Sequence, residues 1–198
     1  SGVTQVSCGS LYTCARSAGG VAYCWGSNQF GVLGDGTTVL NTNPVQVTGL
    51  SQVVAVQASE AHTCAARADG TLWCWGGNQG GNLGNGKTQP SYVPAKVLSV
   101  TEVASFGLGQ YHTCASTKSG AVWCWGMNDC GQLGLGSETA YSTTPVLVEG
   151  AGSATSVLLG RNGTCVARPA GGIACMGQAG AGEAFTTLAT AQPVAVPK

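Results

Sequence analysis

Charge is the scarcest property of this chain. Only 8% of its 198 residues are charged, the formal net charge is zero, and no lysine or arginine run occurs anywhere. A protein that holds nucleic acid through its phosphates carries a basic patch or stripe, so that class is set aside. Long apolar runs are also missing. None approaches the roughly 18–20 residues needed to cross a bilayer as a helix, which argues against membrane insertion. The first residues, Ser1-Gly2-Val3, carry neither the charged nor the apolar part of a leader. The expectation is a secreted or cell-surface protein whose signal peptide has been removed. No Gly-x-Ser-x-Gly elbow occurs, and the eight carboxylates are scattered over turns and loops, so enzyme activity is not expected. No cofactor and no metal is expected either.

Glycine and cysteine, by contrast, are abundant, at 32 and 10 residues. Eight of the cysteines form four pairs ten positions apart: Cys14/Cys24, Cys64/Cys74, Cys114/Cys124 and Cys165/Cys175. Each pair encloses a glycine at a fixed offset, namely Gly20, Gly70, Gly120 and Gly171, and the pairs recur every fifty or fifty-one residues. The chain is therefore four copies of one unit, over 1–50, 51–100, 101–150 and a degenerate 151–198. Paired cysteines in this number point to disulfides and an oxidising compartment. A zinc site fits poorly, because the spacer is too long for close ligand pairs.

The second unit shows the local pattern. Val53, Val54 and Val56 open one strand, His62–Arg67 a second, and Thr71–Gly76 a third. Val93–Val97 forms a fourth that contains Pro94 and so belongs at a sheet edge. Parity then fixes the central hairpin. A two-residue loop at Asp69-Gly70 would set the cysteines on opposite faces, whereas a three-residue loop, Ala68-Asp69-Gly70, sets Cys64 directly opposite Cys74. Such loops place glycine at a left-handed position, which explains the recurrent glycine. Bridges between opposed cysteines staple units too small to be stable alone.

Trp25-Gly26, Trp75-Gly76 and Trp125-Gly126 recur in register, as do Gly31-Val32-Leu33-Gly34, Gly81-Asn82-Leu83-Gly84 and Gly131-Gln132-Leu133-Gly134. The Trp-Gly steps are expected to pack between neighbouring units. One stretch, Gly81 to Thr88, matches the P-loop pattern, but the glycines belong to the repeat and Gln89-Pro90-Ser91 starts no helix, so nucleotide binding is not expected.

Together, His62-Thr63-Cys64, the Asp69-Gly70 turn, Trp73-Cys74-Trp75-Gly76-Gly77-Asn78 and Gly81-Asn82-Leu83-Gly84 resemble the repeat of the regulator of chromosome condensation family. The resemblance implies an all-β propeller with four-stranded antiparallel blades. It is clear in three units; in the fourth, Met176-Gly177 replaces Trp-Gly and the Gly-x-Leu-Gly step is missing. Family members include a nuclear exchange factor, a photoreceptor and secreted bacterial propellers, and the cysteine-stapled pattern looks more like the last. Family rings usually have seven blades. Here four units leave two arrangements open, a closed four-blade ring or an arc that is part of a larger or oligomeric ring. Pro193-Val194-Ala195-Val196 matches Pro44-Val45-Gln46-Val47, and is expected to complete the first blade of this chain or of a neighbour.

Function is expected to reside where the repeats differ. The segment before each first cysteine and the long loop after Gly-x-Leu-Gly vary most, which singles out Tyr12, His62, Tyr92, Tyr111, His112, Tyr141 and Arg161 as candidate ligand-binding residues. His62 and His112 also fit loop histidines hydrogen-bonded to backbone. Cys8 and Cys130 fall outside the pattern, and their expected pairing is a further bridge within the chain, with a link between chains or free thiols as alternatives. The leading functional expectation is a non-catalytic extracellular binding or adhesion module for a protein partner on a cell surface. A lectin-like glycan-binding module and a homo-oligomeric structural subunit of an extracellular assembly are the alternatives.

Overall fold

A computed structural model describes residues 2–135, 139–169 and 172–178, together with the backbone of 184–185. It is all-β apart from short 3-10 turns, of which Gln79–Gly81 is fully described. The strands form four separate four-stranded sheets, each antiparallel and each in sequence order. The first sheet is β1 (Val3–Cys8), β2 (Tyr12–Ser17), β3 (Ala22–Gly26) and β4 (Asn41–Gln46). The second is β5 (Val53–Ala58), β6 (His62–Arg67), β7 (Leu72–Gly76) and β8 (Ser91–Lys96). The third is β9 (Val103–Leu108), β10 (His112–Thr117), β11 (Val122–Met127) and β12 (Tyr141–Leu147). The fourth comprises β13 (Ser156–Leu159), β14 (Asn162–Ala167), β15 (Ile173–Gln178) and the two-residue β16 (Ala184–Phe185).

The hairpin parity is as the sequence dictates. Cys64 pairs directly with Cys74, and the same register opposes Cys14 to Cys24, Cys114 to Cys124 and Cys165 to Cys175. All four pairs are disulfides. Gly70 closes its loop with φ of +78°, and its N–H donates to the Arg67 carbonyl. A side chain there would press on the backbone of Glu102 in the next repeat, so glycine is required on two counts. In the fourth sheet Ala167 pairs with Ile173, the same spacing as Ala66 with Leu72 in the second; Gly171 lies outside the described residues. Pro44, Pro94 and Pro145 all sit in the last strand of their sheets, where a missing N–H breaks no ladder.

Neighbouring sheets pack through their first strands. β5 lies against β1 and β2, β9 against β5 and β6, and β13 against β9 and β10. Three apolar clusters fill the seams. Leu33, Val53, Val56 and Trp75 centre the first, Leu83, Phe106 and Trp125 the second, and Leu133, Val157 and Met176 the third.

Each seam is keyed by one backbone carbonyl. The Val32 carbonyl accepts from Trp75 Nε1 (2.8 Å) and from Thr63 Oγ1 (2.9 Å) of the next sheet. One repeat later, the Asn82 carbonyl accepts from Trp125 Nε1 (2.9 Å) and Thr113 Oγ1 (2.9 Å). In the third seam the Gln132 carbonyl accepts from Thr164 Oγ1 (2.9 Å), while Met176, buried in the tryptophan position, contributes packing alone. The final glycine of Gly-x-Leu-Gly admits the ring. A Cβ on Gly34 or Gly84 would stand 2.6 Å from the indole nitrogen of Trp75 or Trp125.

Residues 179–183 and 186–198, including the Pro193–Val196 segment on which ring closure turns, lie outside the described residues. The expected Cys8–Cys130 bridge is not formed: both thiols are free. Cys8 ends the first strand of one sheet, and Cys130 stands in the loop beyond the third strand of another.

Trp123 and Trp125 flank one cysteine yet occupy different environments, the first half-buried and the second fully buried in the seam. Trp125→Ala is expected to cost about 3–5 kcal/mol and Trp123→Ala less than half of that, measured by urea unfolding of the oxidised protein. Equal costs would contradict the seam as described.

Candidate functional site

Antiparallel pairing brings the β1–β2 type turns and the long β3–β4 type loops to the same end of each of the first three sheets, so these segments share one face. The long loops are held from within. The Asn28 side chain accepts from Leu33 N (3.0 Å) and donates to the Thr37 carbonyl (3.1 Å). Asn78 repeats this with Leu83 N (3.0 Å) and the carbonyls of Lys87 and Gln89 (both 2.9 Å). Lys87 is thereby part of a stapled loop that leads into strand β8, not of a phosphate-binding turn before a helix.

On this face a groove of about 540 Å³ runs between the first two sheets and reaches the third. Leu11, Phe30, Val32, Ala61, Pro90 and Tyr111 supply its apolar lining; Ser10, Gln29, Glu60, Gln79 and Thr88 supply polar groups. Leu11 is 71% exposed and Phe30 43%. Beside it lies a shallower hollow, also about 540 Å³, lined from all four repeats by Cys8 to Ser10, Ser59 and Glu60, Leu108 to Gln110, and Leu159 to Arg161.

The structure divides the seven candidate residues. Tyr111 lines the groove and Arg161 the hollow, where its Nε donates to Gln110 Oε1 (2.7 Å). Tyr12 touches the groove but is buried, with its hydroxyl 2.8 Å from both the His62 carbonyl and Thr63 Oγ1. His62 and His112 have no exposed surface; they hold Thr113 and Thr164 of the following sheets through Nε2 (2.9 Å each). Tyr92 and Tyr141 are exposed but line neither cavity, and Tyr92 instead covers Gly31. Leu11, Phe30 and Glu60 were not singled out from sequence, although position 30 is a site of repeat variation: Phe30, Gly80 and Cys130 stand in register.

The histidines hold protons in a defined way. The Thr113 hydroxyl gives its proton to the Asn82 carbonyl, so it accepts from the imidazole, which places the His62 proton on Nε2. Nδ1 of His62 then accepts from Ser59 Oγ (2.9 Å). This pair looks like an activated serine, but burial pushes the His62 imidazole down to about 3, helped by His112, far too low for a general base at neutral pH. Burial likewise lowers His112 to about 4, and its Nδ1 has no partner among the described residues. Burial raises the Tyr12 phenol above its usual range. Among the described residues no three His, Cys, Asp or Glu converge as a metal site.

Four sheets of four antiparallel strands, joined edge to face in chain order, are the blades of a β-propeller. The sequence model of the regulator of chromosome condensation (RCC1) repeat matches residues 3–32, 53–82 and 100–132 in one version and 19–66 and 119–167 in another, so the chain belongs to the RCC1 repeat family. Among solved structures, yeast RCC1 (Prp20) superposes with a TM-score of 0.78 at 20% identity, over 88% of this chain and 43% of that one. Human WBSCR16 gives the same score and identity over 88% and 47%. The computationally designed Ika4 protein gives 0.53 at 13% identity, over 89% and 91%. The chain thus spans less than half the length of the yeast and human propellers it matches. No curated protein sequence matches it.

The depressed histidine values fix a sign. An unfolded imidazole gains its proton near pH 6.5, whereas the folded ones do not until about pH 3 and 4. Between those limits the unfolded chain binds more protons, so stability is level above pH 6.5 and falls as pH drops through that window. By pH 5.5 each histidine is expected to cost about 1–2 kcal/mol. In His112→Asn, which copies Asn162 of the fourth repeat, about half of the fall between pH 7 and 5 should vanish in urea unfolding curves.

Proposed function

We propose that this propeller is a secreted, non-catalytic binding module that presents its loop face to a protein partner. The observation that carries this reading is the groove on that face, where Leu11 and Phe30 stand exposed beside Tyr111 and around the single carboxylate of Glu60. Exposed apolar side chains grouped with an aromatic and rimmed by polar groups suit a protein interface, whose affinity concentrates in a few such anchors. The loops that bear them are pinned by asparagine staples, so little ordering entropy opposes binding. Protein partners are also the company kept by the matched yeast propeller, which is described bound to Kap60 and, in a second structure, with binding properties toward Gsp1p and histones. Those partners belong to that protein; the common element is a propeller used as a docking scaffold.

Four disulfides in the described chain favour an oxidising environment. That supports a secreted or cell-surface setting over the nucleus. Among the described residues no helix is long and apolar enough to cross a membrane.

The test is to present the oxidised protein to arrays of purified extracellular proteins and of glycans in parallel. Saturable binding to a protein is expected, weakened at least tenfold in the Leu11→Asp, Phe30→Ser double variant and unchanged in Tyr141→Ser. Saturable glycan binding with a blank protein array, lost in Tyr92→Ser or Tyr141→Ser, would replace this reading with a lectin.

A further inference from the structure

The groove on the loop face owes its space to the second repeat. Ala61 stands in register with Leu11 and Tyr111, and Gly77 with Ser27 and Met127, so the smallest side chain at each position belongs to that repeat. The backbone confirms the register: Ser27, Gly77 and Met127 donate their N–H groups to the carbonyls of Leu11, Ala61 and Tyr111. A Cβ on Gly77 would stand 3.6 Å from that of Ala61 and 3.8 Å from that of Phe30, so its absence opens the groove between them. Larger apolar groups from the neighbouring repeats, Leu11, Phe30 and Tyr111, line the same space. The charge in the groove is as particular as its shape. Glu60 is the only charged residue that lines it. It is exposed and, among the described residues, neither hydrogen-bonded nor ion-paired; the ion pair there joins Arg67 to Asp69. Ser10 and Gln110 hold the equivalent positions in the flanking repeats, so the blade itself does not call for a carboxylate.

We propose that the groove takes an extended peptide segment of the partner, with an apolar side chain over Ala61 and a neighbouring basic side chain on Glu60. The proposal rests on the binding-module reading above and names what that module recognises. Its ground is charge complementarity. A ligand that covers Glu60 with neutral atoms strips water from the carboxylate and returns nothing, whereas a lysine or arginine replaces the lost hydrogen bonds. An acidic segment is repelled, and so are the phosphates of a nucleic acid. The apolar lining calls for an apolar side chain beside the cation, since a purely polar ligand leaves Leu11, Phe30 and Tyr111 in water. A volume of about 540 Å³ suits a few side chains entering a groove better than a flat surface laid across it. An ion pair this exposed adds little affinity, so its contribution is to the choice of partner.

The experiment presents the oxidised chain with a library of short randomised peptides, acetylated and amidated so that their ends carry no charge. Selected peptides are expected to carry lysine or arginine next to leucine, isoleucine or phenylalanine. Glu60→Gln should weaken the best of them by about threefold. Glu60→Lys should weaken it by about tenfold or more, and should itself select aspartate or glutamate beside the same apolar residue. Glu60 holds nothing in place among the described residues, so both variants should unfold at the same urea concentration as the parent chain. Ala61→Leu, which copies Leu11 of the first repeat, should weaken every selected peptide by filling the groove. Selection of the same charge by the parent and by Glu60→Lys would overturn the proposal. So would selection of apolar residues without a basic neighbour, and so would a library from which nothing is selected. Each of these failures is distinct from failure of the binding-module reading, which turns on whole proteins and on the Leu11→Asp, Phe30→Ser variant. A protein that binds through Leu11 and Phe30 with no dependence on Glu60 keeps that reading and removes this one.

Discussion

A single backbone carbonyl between two glycines organises this molecule. It cannot be satisfied within its own sheet, because it sits at the tip of a tight loop, and it is sealed from water by the tryptophan that packs on that loop. Burying it without a partner would cost more than the net value of an ordinary hydrogen bond. In the first two seams the next blade supplies an indole N–H and a threonine hydroxyl at once, and in the third the threonine hydroxyl alone, so a misplaced blade would lose these bonds and the apolar contacts around them. Tyr12 at one seam, and His62 and His112 at the two others, extend this link by holding the threonine from its far side. Three different pairings of the same device fix how the blades follow one another.

This arrangement explains why buried aromatic and imidazole groups stand so near a face suited to binding. Tyr12 and Leu11 are adjacent in sequence, yet one locks a seam and the other projects into the groove. The rigid seam below lets the loop tips vary without disturbing the fold, as Phe30, Gly80 and Cys130 do at one position. Disulfides act at a different place, across the hairpin at the middle of each blade, and hold the small sheets closed while the seams hold them together.

Much of this was legible in the residues. The three-residue hairpin loop and the opposed cysteines follow from local parity, the packing of Trp75 and Trp125 from their recurrence in register, and the four-stranded antiparallel blade from the resemblance to the repeat family. The candidate site was legible only in part. Repeat variation pointed to Tyr111 and Arg161, which do face the cavities, but also to His62 and His112, which do not. Nothing local distinguishes an inward side chain from an outward one at the mouth of a strand, because the partner that buries His62 is Thr113, fifty-one residues away. Cys8 and Cys130 show the same limit, since pairing two odd thiols from composition ignores where the strands carry them.

The sequence by itself determined the repeat, the blade and its staples, because each is closed by contacts within about fifty residues. Only the tertiary structure decided which carbonyl joins two blades and which variable residues remain open to a partner. Those outcomes depend on what the neighbouring repeat places opposite each residue, and a repeat read alone has no neighbour.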